Sequence, residues 1–252
     1  MNQDKSLPII EAALDLYPPY GSLFVAGLTA WSFTEVFAGW TEVDRQPPRN
    51  ESTLESTTIV YRNSVTDQML AISMTLAASQ AAAGKALAGY LENNQLDSLP
   101  TASVGQVGFM TQPNVPPAVY FVRSNAAIVV ASAGGSPVDV LPFALKMDAV
   151  IYAYPQSSKP GLWVQAATTS QSGVYLINIF PPAPSNGSYF QLWAGAGAFT
   201  YDSGLFYISL PKRATPVTEV EVFEVSFDKS QMTVTGKSVV PPSHGRNAAA
   251  GG

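Results

Sequence analysis

The stretch YFQLWAGAGAFTYDSGLFYISL, residues 189–210, holds seven aromatic residues and a single charge, Asp202. Its ends read as strands, 189–194 and 205–210, because side chains along a strand alternate between two faces. Paired with each other, these strands put Phe190 and Leu192 on one side together with Phe206, Ile208 and Leu210, which is a core pattern. The other side carries Tyr189, Gln191 and Trp193 on one strand and Leu205, Tyr207 and Ser209 on the second. Rings with polar tips suit a place where one end is dry and the other meets water or a partner. The Ala-Gly run at 194–197 has little bulk, so another backbone or a flat ligand can approach it closely. Tyr189, Gln191, Trp193 and Tyr207 are therefore the candidate binding residues. Three roles are open to them: an interdomain contact, a protein interface, or a carbohydrate or small-molecule platform.

The surroundings of this stretch repeat its texture. LWVQAATT, GVYLINIF, AFTY, VTEVEVFEVSF and MTVTGKSVV are short strand-like runs separated by Ser-Gly, Pro-Pro, Asn-Gly and Asp-Lys-Ser turns. Many strands in so short a region predict an all-β, sandwich-like unit over 160–241. YPQSSKP at 154–160 reads as a linker, and PPSHGRNAAAGG as part of a flexible tail over 242–252.

Residues 1–155 mix periods. Ser6 and Pro8 open a helix that Pro18-Pro19 closes. Residues 23–40 fit a helix or a pair of strands. TTIVYRN and QMLAISMTLAA read as strands around a polar turn, and Ser79 caps a helix through SQAAAGKALAGYLENN. VGFMTQ, AVYFVRS and AAIVVASA are further strands. Ser136, Pro137 and Asp139 then introduce a helix in which Pro142 implies a kink or a late start. The expectation is an α+β N-terminal region, an antiparallel sheet with two or three helices, over 1–155.

Composition removes several chemistries. Charged residues make up 12% and hydrophobic ones 46%, so the chain folds but carries an exterior poor in ions. Net charge is −5, and the 13 basic residues are scattered, which leaves no footprint for nucleic acid. Cysteine is absent and His244 is the one histidine, so thiolate chemistry and the Ser-His-Asp triad are not expected, nor are the usual zinc sites. No cofactor and no metal is expected. Residues 23–40 are short for a membrane span and carry Glu35, so they read as buried protein, and MNQDKSLPII does not have the pattern of a signal peptide.

Fragments that resemble catalytic motifs each lack a necessary part. Gly84-Lys85-Ala86 has Ser79 and Ala86 where a phosphate loop needs Gly and Ser or Thr. GAGAFT lacks the third glycine of a dinucleotide loop. Tyr201 stands where a nucleophile elbow needs glycine ahead of Ser203. Ser226 and Lys229 have acyl-enzyme spacing but flank a strand end instead of sharing a helical face. Glu219 and Glu221 lie on one side of a strand, about 7 Å apart, a carboxyl separation near that of inverting glycosidases. Parallel projection prevents them from flanking a bond, and alternation with Val220 and Val222 reads as a solvated face. With Tyr207 they are the catalytic candidates of a rival reading, a carboxylate- and Tyr-dependent hydrolase or lyase. The expectation that leads is a non-catalytic binding or assembly protein acting through a weakly charged aromatic β surface, with a protein partner or its own copies. Its expected setting is extracellular, envelope or particle-associated. A carbohydrate-binding module is the third reading.

Overall fold

The computed structural model describes residues 6–15, 22–47, 55–93, 99–153, 162–211, 218–227 and 232–240. The expected linker at 154–160, the tail at 242–252, and Lys229 and His244 lie outside these residues.

Strands dominate the chain, in three sheets with three α-helices among the described residues. Helix α1 spans Ser6–Asp15 and strand β1 Ser22–Ala26; two 3-10 turns at Leu28–Ala30 and Phe33–Glu35 lead into β2, Trp40–Arg45. The stretch 23–40 is thus strand and turns, and Val25, Leu28, Trp31, Phe33, Phe37 and Trp40 bury its apolar content. Among the described residues no helix is long and apolar enough to cross a membrane.

Next come β3 (Glu55–Asn63), β4 (Met69–Leu76), α2 (Gln80–Asn93), β5 (Val107–Met110), β6 (Ala118–Arg123), β7 (Ala126–Ala133) and α3 (Leu141–Tyr152). Strands β2 to β7 form one antiparallel sheet in the order β2-β3-β4-β7-β6-β5. The Ser79 hydroxyl accepts the Ala82 N–H at 3.1 Å, the cap expected for α2. Pro142 falls in the first turn of α3, so the helix starts late and is not kinked there.

The remaining strands are β8 (Trp163–Thr168), β9 (Val174–Phe180), β10 (Ser188–Ala194), β11 (Ala198–Asp202), β12 (Leu205–Ser209), β13 (Thr218–Ser226) and β14 (Met232–Val240). They build two four-stranded sheets, β1-β10-β13-β14 and β11-β12-β9-β8. These pack face to face over a core that includes Phe24, Phe190, Leu192, Val220 and Val222 from one sheet and Tyr175, Ile177, Phe199, Phe206 and Ile208 from the other.

Alternation makes the β1-β10-β13-β14 sheet a middle layer. Its odd-numbered residues Val25, Tyr189, Phe223 and Val225 enter the largest core, together with Ile59, Tyr61, Ile72, Phe121, Ile128 and α3 residues Met147 and Ile151. The far side of the six-stranded sheet, through Tyr120, Val122, Ala127 and Val129, carries α1 and α2. Both sides of β6 and β7 are therefore covered, which explains their unbroken apolar runs. The layers run helices, six-stranded sheet, middle sheet, outer sheet, with α3 in the core between the first two sheets.

The split of the chain at residue 155 is not confirmed by strand pairing: β1, from the N-terminal region, is the edge strand of the middle sheet and pairs with β10 from Ser22–Ala194 to Ala26–Phe190. Nor do residues 189–194 and 205–210 form a hairpin. Strand β10 pairs with β1 and β13, whereas β12 pairs with β11 and β9 in the other sheet. The chain changes sheet across Gly195–Gly197. At Gly197, φ is +99° and an added Cβ would lie 2.7 Å from the Ser209 carbonyl oxygen, so the close approach the small residues permit is made by the chain's own backbone. The true hairpin is β11–β12, turning at Ser203 and Gly204 with φ of 50° and 85°, the left-handed pair that a two-residue hairpin turn requires.

Candidate interaction surface

The first candidate set lies inside the molecule. Tyr189 is fully buried, and its ring stacks on Trp31 at 6.0 Å and on Phe227 at 6.0 Å. Burial pushes its phenol well above the ordinary tyrosine range. Gln191 is buried beside it and donates from Nε2 to the Ile151 carbonyl at 2.8 Å and to the Tyr189 hydroxyl at 3.3 Å. Trp193 is half-buried, with its ring 6.0 Å from that of Tyr152. Tyr152 in turn takes the Arg123 guanidinium 4.5 Å from its ring centroid. Arg123 holds Asp148 through two bonds of 2.6 and 2.7 Å, and Asp148 also accepts the Gly105 N–H at 3.0 Å. This is a seam fixing α3 and the six-stranded sheet to the middle sheet. Tyr189, Gln191 and Trp193 thus sit where the middle sheet packs against α3 and the six-stranded sheet.

A polar clamp that sequence reading missed completes the seam. Asn125, fully buried in the β6–β7 turn, accepts the Val25 N–H at 2.9 Å and donates to the Val25 carbonyl at 2.9 Å and the Ala77 carbonyl at 3.1 Å. Its amide acts as an extra strand residue along the open edge of β1. Ser124 beside it bonds the Leu23 carbonyl. Tyr201 N–H donates to the Ala78 carbonyl at 2.8 Å, tying the outer sheet to the same loop.

The catalytic candidates do not converge. Glu219 is exposed and Glu221 half-buried, and Glu221 pairs in register with Trp193 on the seam side of the middle sheet. Tyr207 projects from the far side of the outer sheet, since its neighbours Phe206 and Ile208 point into the sandwich core. A packed sandwich, about 10 Å from sheet to sheet, stands between the two carboxylates and the phenol. Among the described residues no three His, Asp or Glu side chains gather as metal ligands would. The Glu42 carboxyl is held below the usual range, chiefly by its hydrogen bond from Arg45. That bond is structural, for Arg45 also binds the Thr29 and Trp31 carbonyls.

The outer side of the outer sheet has a different character. Alternation with the inward Val164, Ile177, Ile179, Phe206 and Ile208 turns Trp163, Phe180, Leu205 and Tyr207 outward. Trp163 and Phe180 are register partners on β8 and β9, 57% and 68% exposed, and Leu205 is 43% exposed. Tyr207 pairs with Leu176 on one side and Thr200 on the other. Gln165, Asn178, Thr200 and Ser209 fill the gaps, and Asp202 is the one charge among the described strand residues of this side. The other large exposed apolar residues sit apart: Ile9 on α1, Val43 on β2 and Leu145 on α3 among them. Scattered ones are ordinary; a grouped set marks a contact surface.

Comparisons with protein-family models, with curated proteins and with solved structures find no match to this chain.

Proposed function

We propose that this chain is a non-catalytic assembly protein whose contact surface is the outer side of the β11-β12-β9-β8 sheet, with Trp163, Phe180, Leu205 and Tyr207 as its apolar anchors. The observation that carries the reading is the pairing of Trp163 and Phe180, both more than half exposed, on a side with a single described charge. Tyr and Trp serve as anchors where one protein surface meets another. Copies carrying a net charge of −5 repel each other, and a side nearly free of ions is where they meet at least cost. The natural setting of such a surface is a particle, an envelope or an extracellular assembly, where a neighbour covers it. The separation of Glu219 and Glu221 from Tyr207 removes support from the hydrolase reading, and the seam position of Trp193 removes it from a sugar platform built on that ring.

Size-exclusion chromatography with light scattering tests the proposal. The wild-type mass is expected to rise as concentration goes from micromolar to millimolar, and the Trp163→Asp/Phe180→Asp variant is expected to stay monomeric. A wild-type protein that remains a monomer throughout, or a variant that associates like wild type, contradicts the proposal.

A further inference from the structure

A cleft of about 460 Å³ opens at one end of the six-stranded sheet, far from the outer side of the sandwich in the order of layers. Its floor is Met110 and Val119, and its walls come from the β5–β6 loop, through Pro113 and Val115, and from the segment entering α3, through Val138 and Leu141. The volume lies within the usual range of small-molecule sites.

The walls supply almost no free hydrogen-bonding groups. Four lining residues, Pro100, Pro113, Pro117 and Pro137, have no N–H. Their loop is also closed on itself: the Thr111 hydroxyl donates to the Pro116 carbonyl at 3.1 Å and accepts the Ala118 N–H at 2.9 Å. The carbonyls of Pro100, Pro117 and Pro137 accept from Met110 N–H, Ser132 N–H and Gln68 Nε2. Among the described residues one charged side chain lines the cleft, that of Asp139. Its Oδ1 takes the Leu141 N–H at 3.3 Å, and its Oδ2 has no partner among the described residues. Among the described residues no cation lines the cleft.

From this pattern we infer that the cleft binds a small organic cation: an apolar body, ring or short chain, between the prolines, Met110, Val119 and Leu141, with an ammonium group at Asp139. The match is one of charge and of chemistry. A carboxylate or phosphate would meet Asp139 with no cation among the described lining residues to balance it, and a highly polar ligand would find few groups there to replace its hydrogen bonds to water. The prolines hold the cleft's shape before the ligand arrives, which lowers the cost of binding. This inference is independent of the assembly reading.

The test is a titration of ¹⁵N-labelled protein with phenethylamine, 2-phenylethanol and 3-phenylpropanoate, followed by amide shifts. Phenethylamine is expected to give saturable shifts at Thr111, Val119, Val138 and Leu141. The alcohol should bind the same amides up to about fivefold more weakly, as expected for losing one exposed ion pair. The propanoate should give none. Asp139→Asn keeps a capping oxygen for Leu141 and should equalise the amine and the alcohol with the remaining spectrum unchanged. Val115→Arg, at a 43% exposed position on the rim, should abolish binding of both. Absent shifts at those amides, equal binding of all three probes, or an amine preference that survives Asp139→Asn would each overturn the inference.

Discussion

The seam side of β10 and the outer side of β8, β9 and β12 are built from similar residues, rings with polar tips and uncharged amides, yet they meet different fates. On the seam, Tyr189 is fully buried against Trp31 and Phe227, and the Gln191 amide reaches a helix carbonyl. On the outer side, Trp163 and Phe180 stand more than half exposed. What separates them is the neighbour. The six-stranded sheet and α3 cover the first, and the Ile151 carbonyl of α3 takes the Gln191 Nε2–H. Among the described residues no such layer lies over the second. An aromatic β surface is therefore a statement about the need for a cover, and only the third layer decides whether the cover comes from within.

That comparison breaks most readily at Tyr189. Tyr189→Ala should cost about 3–5 kcal/mol in urea denaturation, the range for deleting a large buried ring. Tyr207→Ala, on the outer side, should stay within about 1 kcal/mol. Equal losses at the two positions would erase the distinction.

Next in size is the clamp. Asn125→Ala leaves the Val25 N–H and the Val25 and Ala77 carbonyls without their buried partner. The expected loss is about 2–3 kcal/mol, with faster amide exchange at Val25; a change near zero would show that β1 does not depend on the Asn125 amide.

The smallest effect lies in alkali. Burial raises the Tyr189 pKa, so the folded state keeps the neutral phenol. Its contribution is complete below the unfolded tyrosine value of about 10 and is lost as pH rises beyond it. Denaturation midpoints should fall between about pH 9 and about pH 11, and fall less in Tyr189→Phe. Identical slopes for the two proteins would mean that this phenol ionises without resistance from the fold.

Local structure was legible in the sequence because its causes are local. Ser79 capped α2 as read, Pro142 gave α3 a late start, and the strands from LWVQAATT to MTVTGKSVV stand where their alternation puts them. Alternation also separates the two sides of residues 189–194, Phe190 and Leu192 toward one core and Tyr189, Gln191 and Trp193 away from it. Pairing was not legible. Nothing near residues 22–26 announces a partner at 190–194, and the compact spacing of 189–210 suggested a hairpin that the Gly195–Gly197 corner prevents. Asn125 escaped notice because a buried amide and a turn amide look alike in one dimension. Trp163 and Phe180 did so because each ends its strand, and only the register makes them neighbours.

Hydroxyl-radical footprinting at low and high protein concentration tests most directly which side meets a partner. Oxidation of Trp163 and Phe180 is predicted to fall as concentration rises, while Val65, 88% exposed on a distant turn, reacts equally throughout and Tyr189 stays unlabelled. Labelling of Trp163 and Phe180 that does not change with concentration, or protection that appears at Val65 instead, would contradict the account.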